Sequence, residues 1–544
     1  MERDNRTLVR KLTTNSYIAG ALPTIGGIMF GCDISSISGQ LSNPYYLSQY
    51  GNPDSNLQGG ITASMAAGSF GGSIINSWLC DKIGRKKVII LSGWLWVVGS
   101  IIQGVSQNVR TLVAGRVVGG LAVGLASAVV TVYQAEITKP NIRGRIVTMQ
   151  QLAITVGIFL QYMVQYGCSY INGTASFRLP WLLQMIPGLI LGSLMFIFPE
   201  SPRWLMDRDR DDEALGILAD VHARGNRNDK LVQLEYREIR AQIDFDRTQA
   251  ARSYMDLLKP DVRRRVFLGC SEQMWSQLTG MNVMMYYVTY VFQASGLTGR
   301  RGELIASSVQ YALNVLFTLP ALFYLVDHVG RRPLMLYGAI AMAIFLMLVG
   351  SLQGAYGQNL DSGGTTTWTI VGHTPVRNAI IVFSYLFVCS FACTWGPCSW
   401  TYASELFPIR VRGKAVSAAT ATNWLWNFAL GYATPPAFRN IQWKTYFLYM
   451  SFNIAIAIHI FFMFPETKGR TLEEMEEVFA AGNVFTAWRI PATVGRRSAV
   501  DLESPASDNY QTQNVLSRDG SNDDKRELSH EEVHKTVSPG SKAQ

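Results

Sequence analysis

Residues 81–106 read DKIGRKKVIILSGWLWVVGSIIQGVS, a short basic segment followed by a long run without a charged side chain. A helix needs about 20 apolar residues to cross the ~30 Å hydrocarbon core of a bilayer. The uncharged run 88–106 is close to that length, and 179–198 and 333–353 are equally free of charge. The sequence therefore predicts a membrane protein with several spanning helices.

The composition favours the same class of protein. Of the 544 residues, 48% are hydrophobic and only 16% are charged, whereas a soluble domain carries about a quarter charged residues. The seven cysteines lie mostly in apolar segments or at their ends, which argues against a disulfide framework. Cys389, Cys393 and Cys398 are close in sequence, but no His or carboxylate lies among them. Buried small side chains are favoured there over a metal site, and no metal is predicted.

Apolar runs of about 18–25 residues predict twelve membrane-spanning helices. Their predicted ranges are 17–39, 58–79, 88–106, 112–134, 147–169, 179–198, 266–292, 303–326, 333–354, 378–402, 414–436 and 443–464. The first run is too long for the apolar part of a signal peptide. It is therefore predicted to be the first spanning helix.

Lys and Arg residues are concentrated in the loops after the second, fourth, eighth and tenth predicted helices, whereas 40–57 contains neither. Cytoplasmic loops are enriched in these residues, so both termini are predicted to be cytoplasmic. The sequon Asn172-Gly173-Thr174 then lies outside, where Asn172 could carry a glycan. The predicted location is the plasma membrane.

The two halves of the chain repeat one another. Asp81-Lys-Ile-Gly-Arg-Lys recurs 246 residues later as Asp327-His-Val-Gly-Arg-Arg, and Pro199-Glu200 recurs as Pro465-Glu466. Glu136 with the Arg-Gly-Arg of 143–145 recurs as Glu405 with the Arg-Gly-Lys of 412–414. Three matches in the same order predict a parallel duplication of six-helix halves, which usually hold substrate between them.

The predicted fold is therefore an all-α membrane protein of two six-helix halves. Its predicted divisions are a cytoplasmic N-terminus (1–16), an N-terminal half (17–198), a cytoplasmic loop with short helices (199–262), a C-terminal half (263–464) and a cytoplasmic tail (465–544). The tail is rich in polar residues and is expected to be disordered after about residue 490.

Six motifs make the chain resemble a known family. They are Asp81-Lys-Ile-Gly-Arg-Lys, Arg116-Val-Val-Gly-Gly, Pro199-Glu-Ser-Pro-Arg203, Gln277-Leu-Thr-Gly-Met-Asn282, Asp327-His-Val-Gly-Arg-Arg332 and Pro465-Glu-Thr-Lys-Gly-Arg470. In this order they resemble the sugar porter family of the major facilitator superfamily, most closely the fungal monosaccharide (hexose) transporters. The resemblance covers residues from about 20 to 480 and implies the major facilitator fold.

A sugar site needs side chains that both donate and accept hydrogen bonds, and amides do both. The amides in predicted helices that fit this role are Gln151, Gln161, Gln277, Asn282, Asn314, Asn423 and Asn427. Such amides also join membrane helices to one another by hydrogen bonds. Spacing alone leaves the two interpretations equally open.

The resemblance implies roles for particular positions. Gln151, Gln277, Asn282, Asn314 and Trp400 fall on positions that bind sugar in the family. Tyr286, Tyr287, Asn423, Trp424 and Asn427 fall on neighbouring positions that line or close the cavity. The family usually has two adjacent glutamines where this chain has Ser276-Gln277, so a different set of hydrogen bonds to the sugar is expected. The spacing from Asn314 to Asp327 is one residue longer than is usual in the family.

Charged groups inside the membrane cost about 2.5–3.5 kcal/mol each on insertion scales and are functional candidates. Asp33 and Arg116 are such residues. The resemblance implies that Asp33 takes up the proton in proton-coupled members and that Arg116 modulates it. A static structural ion pair is the alternative, and some fungal facilitators keep the aspartate.

A further set of charged residues lies at the predicted cytoplasmic helix ends. These are Arg85, Glu136, Arg143, Glu200, Arg331, Glu405 and Arg412. The resemblance implies an ion-pair network that closes the inner side of the outward-facing state. Positive-inside topology alone would explain the arginines but not the glutamates.

The sequence thus predicts a proton-coupled monosaccharide importer that works by alternating access. The alternatives are a facilitative sugar or polyol uniporter and a non-transporting sugar sensor on the same scaffold. An enzyme is not expected, since no nucleotide-binding loop or nucleophile constellation is present. The expected partners are a monosaccharide and the lipid bilayer, without nucleic acid, and the protein is expected to act as a monomer. No cofactor is expected, and the proton is the expected coupling ion.

Overall fold

A computed structural model describes residues 15–249, 254–260, 262–297, 300–362, 365–407 and 411–468, together with Met475, Val478, Phe479 and Ala487. The predicted N-terminal segment before residue 15, and most of the predicted tail with its expected disorder, lie outside the described residues. The side chains of Arg143 and Asp327 also lie outside this description.

The described residues contain twelve long helical segments, one at each predicted place. They are α1 (Ser16–Ala21, Leu22–Thr24 and Ile25–Ser36), α2 (Ser55–Ile83), α3 (Arg85–Val105), α4 (Val109–Ile137), α5 (Pro140–Cys168), α6 (Ala175–Leu183 and Met185–Leu194), α7 (Arg263–Leu278, Met281–Tyr286 and Val288–Ala294), α8 (Arg300–Pro320, Ala321–Leu325 and Val326–His328), α9 (Arg331–Tyr356), α10 (Thr374–Cys393 and Trp395–Leu406), α11 (Arg412–Asn440) and α12 (Lys444–Met463).

By length and composition alone, eight of these segments in the described part of the chain could cross a membrane. The other four are α2, α5, α7 and α11, which are too polar or too interrupted for that criterion. α5, α7 and α11 carry six of the seven amides predicted to bind sugar, and α2 is rich in Gly and Ser. The helices that look least like membrane spans are therefore those that supply most of the polar interior.

Small residues let the helices approach closely. In the N-terminal half, a Cβ added at Gly120 of α4 would collide with the carbonyl oxygen of Met65 on α2, and one at Gly124 with that of Ser69. Close backbone approach at small residues is the usual way that membrane helices pack. The two halves meet along α2 and α11 and along α5 and α8, where the Tyr162 and Tyr311 rings lie 4.7 Å apart.

The segment between the halves contains short helices at Pro202–Asp207, Asp211–Ala223 and Lys230–Gln249, and a 3-10 turn at Tyr254–Leu258. His222 attaches this segment to the end of α4. Its Nδ1 lies 2.6 Å from Glu235 Oε2, and its Nε2 lies 3.2 Å from the Ile137 carbonyl oxygen. The predicted short helices are therefore present and are fixed to the N-terminal half.

One feature differs from the prediction. The stretch 355–377, predicted as a loop, contains an antiparallel hairpin of β1 (Gly357–Ser362) and β2 (Thr365–Ile370). The β2 sequence TTTWTI is composed of β-branched and aromatic residues that favour strands. The segment that forms the hairpin is too short and too polar to match the apolar pattern of a membrane helix.

Candidate functional site

The break in α7 lies between Leu278 and Met281. Gly280 there has φ +90°, a left-handed conformation that glycine adopts without steric cost. Asn453 of α12 donates from Nδ2 to the carbonyl oxygen of Thr279 at 2.9 Å, and so satisfies a backbone group near the break. Backbone groups in a membrane need such partners. The break brings Gln277 and Asn282 together, because Asn282 Nδ2 donates to Gln277 Oε1.

Gln277 is the centre of an amide cluster between α7 and α11. Its Nε2 donates to Asn423 Oδ1 at 3.1 Å, and its Oε1 accepts from Asn427 Nδ2 at 3.2 Å. The Tyr286 hydroxyl donates to Asn427 Oδ1 at 3.2 Å. We call Gln277, Asn282, Asn423 and Asn427 the amide cluster. Its donors and acceptors join two helices, and the same groups are those that could bind the hydroxyls of a sugar.

Aromatic side chains connect the halves beside this cluster. Phe30 of α1 lies edge-on to Trp400 at 6.5 Å between ring centroids, and its ring is 4.7 Å from that of Trp424. Trp424 Nε1 also donates to Ser127 Oγ of α4 at 3.3 Å. Trp400 and Trp424 therefore contact the N-terminal half. The sugar-binding role of Trp400 and the cavity-lining or cavity-closing role of Trp424 stay predictions.

α10 is interrupted at Thr394, two to three residues before Gly396-Pro397. The helix ends at Cys393 and resumes at Trp395. Pro397 explains the offset, because a proline ring clashes with the carbonyl four residues earlier. Gln151 of α5 faces this region: a Cβ added at Gly396 would lie 3.0 Å from Gln151 Nε2.

Three other predicted residues make no hydrogen bond to the amide cluster among the described residues. Gln161 Nε2 donates to the Pro180 carbonyl oxygen of α6 at 3.0 Å. Tyr287 donates to the Gly431 carbonyl oxygen at 2.6 Å. Asn314 of α8 is buried, and its Oδ1 has no hydrogen-bond partner in the part of the chain that the structure describes. The sugar-binding role of each of these residues stays a prediction.

Sequence reasoning missed two polar residues on α7. Gln273 Oε1 accepts from Asn423 Nδ2 at 2.8 Å, and Gln273 Nε2 donates to Glu272 Oε2 at 3.0 Å. Gln273 lies four residues before Gln277, on the same helix face. Glu272 lies inside the predicted helix 266–292, so both could have been found by scanning that helix for polar side chains.

Asp33 and Arg116 form the predicted pair. Arg116 Nη2 lies 3.7 Å from Asp33 Oδ1, and both side chains are buried. Arg116 is held by α2, because its Nε donates to the Ile61 carbonyl oxygen at 2.8 Å and its Nη2 to that of Thr62 at 3.3 Å. Asp33 Oδ1 has no hydrogen-bond partner among the described residues. The arginine is therefore fixed, while the carboxylate is held by charge alone.

The charged residues at the helix ends predicted to be cytoplasmic form one cluster in each half, which we call the inner clusters. In the N-terminal half, Arg85 Nε donates to Glu136 Oε2 at 3.1 Å, and Ser201 Oγ donates to the same oxygen. Glu200 Oε1 accepts from the backbone N–H groups of Lys86 at 3.0 Å and Ser201 at 2.9 Å. Burial raises the pKa of Glu200, although these two N–H groups oppose the rise.

The C-terminal half repeats this arrangement. Arg331 Nη2 donates to Glu405 Oε1 at 2.8 Å, and Thr467 Oγ1 donates to Glu405 Oε2 at 2.6 Å. Glu466 accepts from the backbone N–H groups of Arg331 and Arg332. Glu466, Ser201 and Thr467 were not predicted as part of the network, although the repeat had paired Glu466 with Glu200.

These ion pairs join residues of the same half. Arg85 and Glu136 both belong to the N-terminal half, and Arg331 and Glu405 both belong to the C-terminal half. Arg412 begins α11, and the Arg143 side chain lies outside the described residues. The role of the network as a gate between the halves stays a prediction.

Two repeated six-helix halves, an amide cluster in the C-terminal half and a buried pair of Asp33 and Arg116 in the N-terminal half are features of a membrane transporter. The family model described as "Sugar (and other) transporter" matches residues 20–479. The chain belongs to this sugar transporter family of the major facilitator superfamily.

Relatives and solved structures agree with this assignment. The chain is 48% identical to the MFS glucose transporter mfs1 of Aspergillus flavus, over 87% of this chain and 91% of that protein. It is 44% identical to the high-affinity glucose transporter of Kluyveromyces lactis, over 87% and 86%. The structure of the proton:xylose symporter XylE bound to 6-bromo-6-deoxy-D-glucose matches with a TM-score of 0.72 at 27% identity, over 85% of this chain and 98% of XylE.

Proposed function

We propose that the protein imports a monosaccharide across the plasma membrane together with protons, by alternating access. Family membership supports sugar transport, and the relatives named as glucose transporters support a hexose as substrate. A pentose is the second candidate class, because the structural relative XylE is a proton:xylose symporter. In this proposal the transporter acts as a monomer with both termini in the cytoplasm, and it needs no bound cofactor.

The buried pair of Asp33 and Arg116 is the observation that carries the proton-coupling part of the proposal. Both side chains are removed from water, and their closest charged atoms are 3.7 Å apart. A charge in the membrane is costly when it is unpaired. Arg116 is fixed to α2 by hydrogen bonds, so a movement of α1 away from it would leave Asp33 unpaired and favour its protonation. Movement back would release the proton.

The amide cluster is proposed to be the sugar site. Gln277 touches three other amides of α7 and α11, and Trp400 and Trp424 contact the opposite half through Phe30. A sugar entering between the halves would replace amide–amide hydrogen bonds by amide–hydroxyl ones. Such an exchange keeps every polar group satisfied, as a dry interior requires.

Sugar uptake by cells that lack their own hexose carriers tests this proposal. D-Glucose, D-xylose and sorbitol would be compared at two external pH values, with and without a protonophore. Faster hexose uptake at the lower pH, abolished by the protonophore, is expected. Uptake that changes with neither external pH nor the protonophore would favour the uniporter. Absence of any uptake would contradict transport.

A further inference from the structure

Glu272 is a second carboxyl group inside the membrane. It lies nine residues after the start of α7 at Arg263, which places it about 14 Å along the helix at 1.5 Å per residue. Its side chain is completely buried, with 0% exposure. An intramembrane acidic residue that is not explained by packing is a functional candidate.

The surroundings of Glu272 do not provide a counter-charge. Among the described residues its Oε2 accepts only from Gln273 Nε2, and its Oε1 has no hydrogen-bond partner. The ionisable groups that face it are Cys398 and Tyr402 of α10 and Cys270 of α7 itself. On α12, His459 accepts a hydrogen bond from Trp275, and α11 presents the neutral Asn423.

The cations nearest to this region make other contacts. Arg265, two turns before Glu272 on α7, places its guanidinium 4.8 Å from the centre of the Phe479 ring. Arg331 is near enough to interact electrostatically with Cys398, but its guanidinium is paired with Glu405 at 2.8 Å. An ionised Glu272 would therefore be a buried charge without a partner, which costs several kcal/mol. The neutral acid avoids this cost, because one proton from water adds to a carboxylate oxygen and no other group has to change.

Glu272 is also the end of a hydrogen-bond chain that leads into the amide cluster. Both N–H groups of Gln273 are used, one on Glu272 and one on the Ser399 carbonyl oxygen at 3.1 Å. Gln273 therefore presents its oxygen to Asn423, which presents its own oxygen to Gln277. Because an amide has its donors on one side and its acceptor on the other, each amide in turn fixes the orientation of the next.

We propose that Glu272 is a second proton-binding group of the transporter, located in its C-terminal half, and that its neutral form orients the amide cluster for sugar binding. Glu272 is thus a positioning residue, because it acts on the sugar through Gln273 and Asn423. The proposal rests on the proposed sugar site, and it does not require that Asp33 couples transport to protons.

Exchange of D-glucose in proteoliposomes, with the same pH on both sides, tests this inference. Wild-type protein, Glu272→Gln and Asp33→Asn would be compared from pH 5 to pH 9. The KM of the wild type is expected to rise with pH, by up to about tenfold per pH unit once the neutral form becomes scarce. Glu272→Gln imitates the neutral form and should remove the part of the rise in KM that Glu272 causes, so that only the contribution of Asp33 remains. The KM of Asp33→Asn should still rise with pH, because Glu272 is unchanged in that variant.

Two results would overturn the inference. One is a wild-type KM that does not change with pH, and the other is a Glu272→Gln profile that matches the wild type. If the protein exchanges glucose and either of these results is found, only the role of Glu272 is contradicted, and the proposed function stands. Absence of exchange by the wild type at every pH would contradict the proposed function too.

A second pair of variants tests the positioning role. Glu272→Ala removes the acceptor of Gln273 and should raise KM at every pH. Ser271→Ala is the matched control, because Ser271 is also buried on α7 but its Oγ donates only to the Leu268 carbonyl oxygen of its own helix. Equal KM values for Glu272→Ala and the control would contradict the positioning role. If Glu272→Ala fails to fold, the pH profile of Glu272→Gln still decides.

Discussion

Gln277 and Gln161 are both buried glutamines on membrane helices, yet they make different contacts. Gln277 contacts three other amides of α7 and α11, whereas Gln161 donates to a backbone carbonyl oxygen of α6. Removing a side chain that hydrogen-bonds several groups leaves each of those groups without that hydrogen bond. The two residues should therefore differ in their importance for sugar binding.

Gln277→Ala is expected to raise the KM for sugar uptake by about tenfold or more. Leaving a buried polar group without a partner costs about 1–3 kcal/mol, and 1.4 kcal/mol corresponds to a factor of ten in affinity. Gln161→Ala is the comparison and should change KM less. Uptake kinetics measured at equal surface expression would check both, and a larger effect of Gln161→Ala would contradict the assignment.

Ser276 gives a prediction about substrate choice. It is buried on α7 directly before Gln277, where the family usually has a second glutamine. Ser276→Gln adds a long amide next to the cluster and should change the order of preference among D-glucose, D-xylose and D-galactose. Competition of each sugar with labelled glucose measures that order, and an unchanged order would remove Ser276 from the specificity determinants.

Residue types were predicted from the sequence more readily than their contacts. Gln277, Asn282, Asn423 and Asn427 could be selected as amides in apolar segments, and the structure brings these four together. Gln161 met the same criterion, but it faces α6. Helical spacing tells which residues share a face, whereas the neighbouring helix depends on tertiary packing that a single sequence does not encode locally.

At the scale of the helices, breaks and turns determine the site. The break at Gly280 brings Asn282 back to Gln277, and the break before Trp395 brings Gly396 close to Gln151. Pro397 accounts for the second break, because its ring clashes with the carbonyl group four residues earlier. The hairpin at 357–370 was not predicted, because its two six-residue strands are mostly polar and carry little of the apolar alternation that marks a half-buried strand.

The repeated inner clusters depend on two glycines. Gly84 and Gly330 have φ values of +99° and +106°, and an added Cβ would contact the Glu200 and Glu466 carboxylates respectively. Glu200 and Glu466 each accept backbone N–H groups from the helix that begins there. The two halves thus repeat the same arrangement, a glycine with positive φ followed by a helix start that donates N–H groups to a carboxylate.

Gly84→Ala and Gly330→Ala are expected to destabilise the protein. A non-glycine residue in such a conformation costs about 1–3 kcal/mol, and the carboxylates would also be displaced. Thermal unfolding of the detergent-solubilised protein should show a Tm lower by roughly a few degrees for each variant. Gly413→Ala is the control, because an added Cβ there meets nothing within 4 Å, and an equal loss of Tm in the control would contradict the prediction.

At the scale of the whole molecule, the internal repeat allowed most of the fold to be predicted. Twelve helices, their division into halves and the helical segment between the halves all followed from apolar runs and repeated loop motifs. The apolarity of individual helices was a weaker guide, since α2, α5, α7 and α11 are too polar or too interrupted to qualify on their own. The apolar runs still marked these four helices, and the repeated loop motifs placed them in equivalent positions of the two halves.

The orientation of the whole chain makes a separate prediction. Asn172 is exposed in the turn between α5 and α6, at the opposite end of α5 from the inner clusters. If that turn faces outside, digestion with an N-glycosidase should increase the gel mobility of the wild type but not that of Asn172→Gln. A wild type without any mobility change, or a variant that still shifts, would contradict the use of this site.

Proton movement driven by sugar tests the central claim most directly. D-Glucose added to weakly buffered, de-energised cells that express the protein should make the medium transiently more alkaline, because each sugar would enter with a proton. Asp33→Asn should abolish this signal while counterflow of labelled glucose continues. Glucose entry by the wild type without any alkalinisation, or an Asp33→Asn variant that alkalinises the medium as the wild type does, would contradict proton coupling through Asp33.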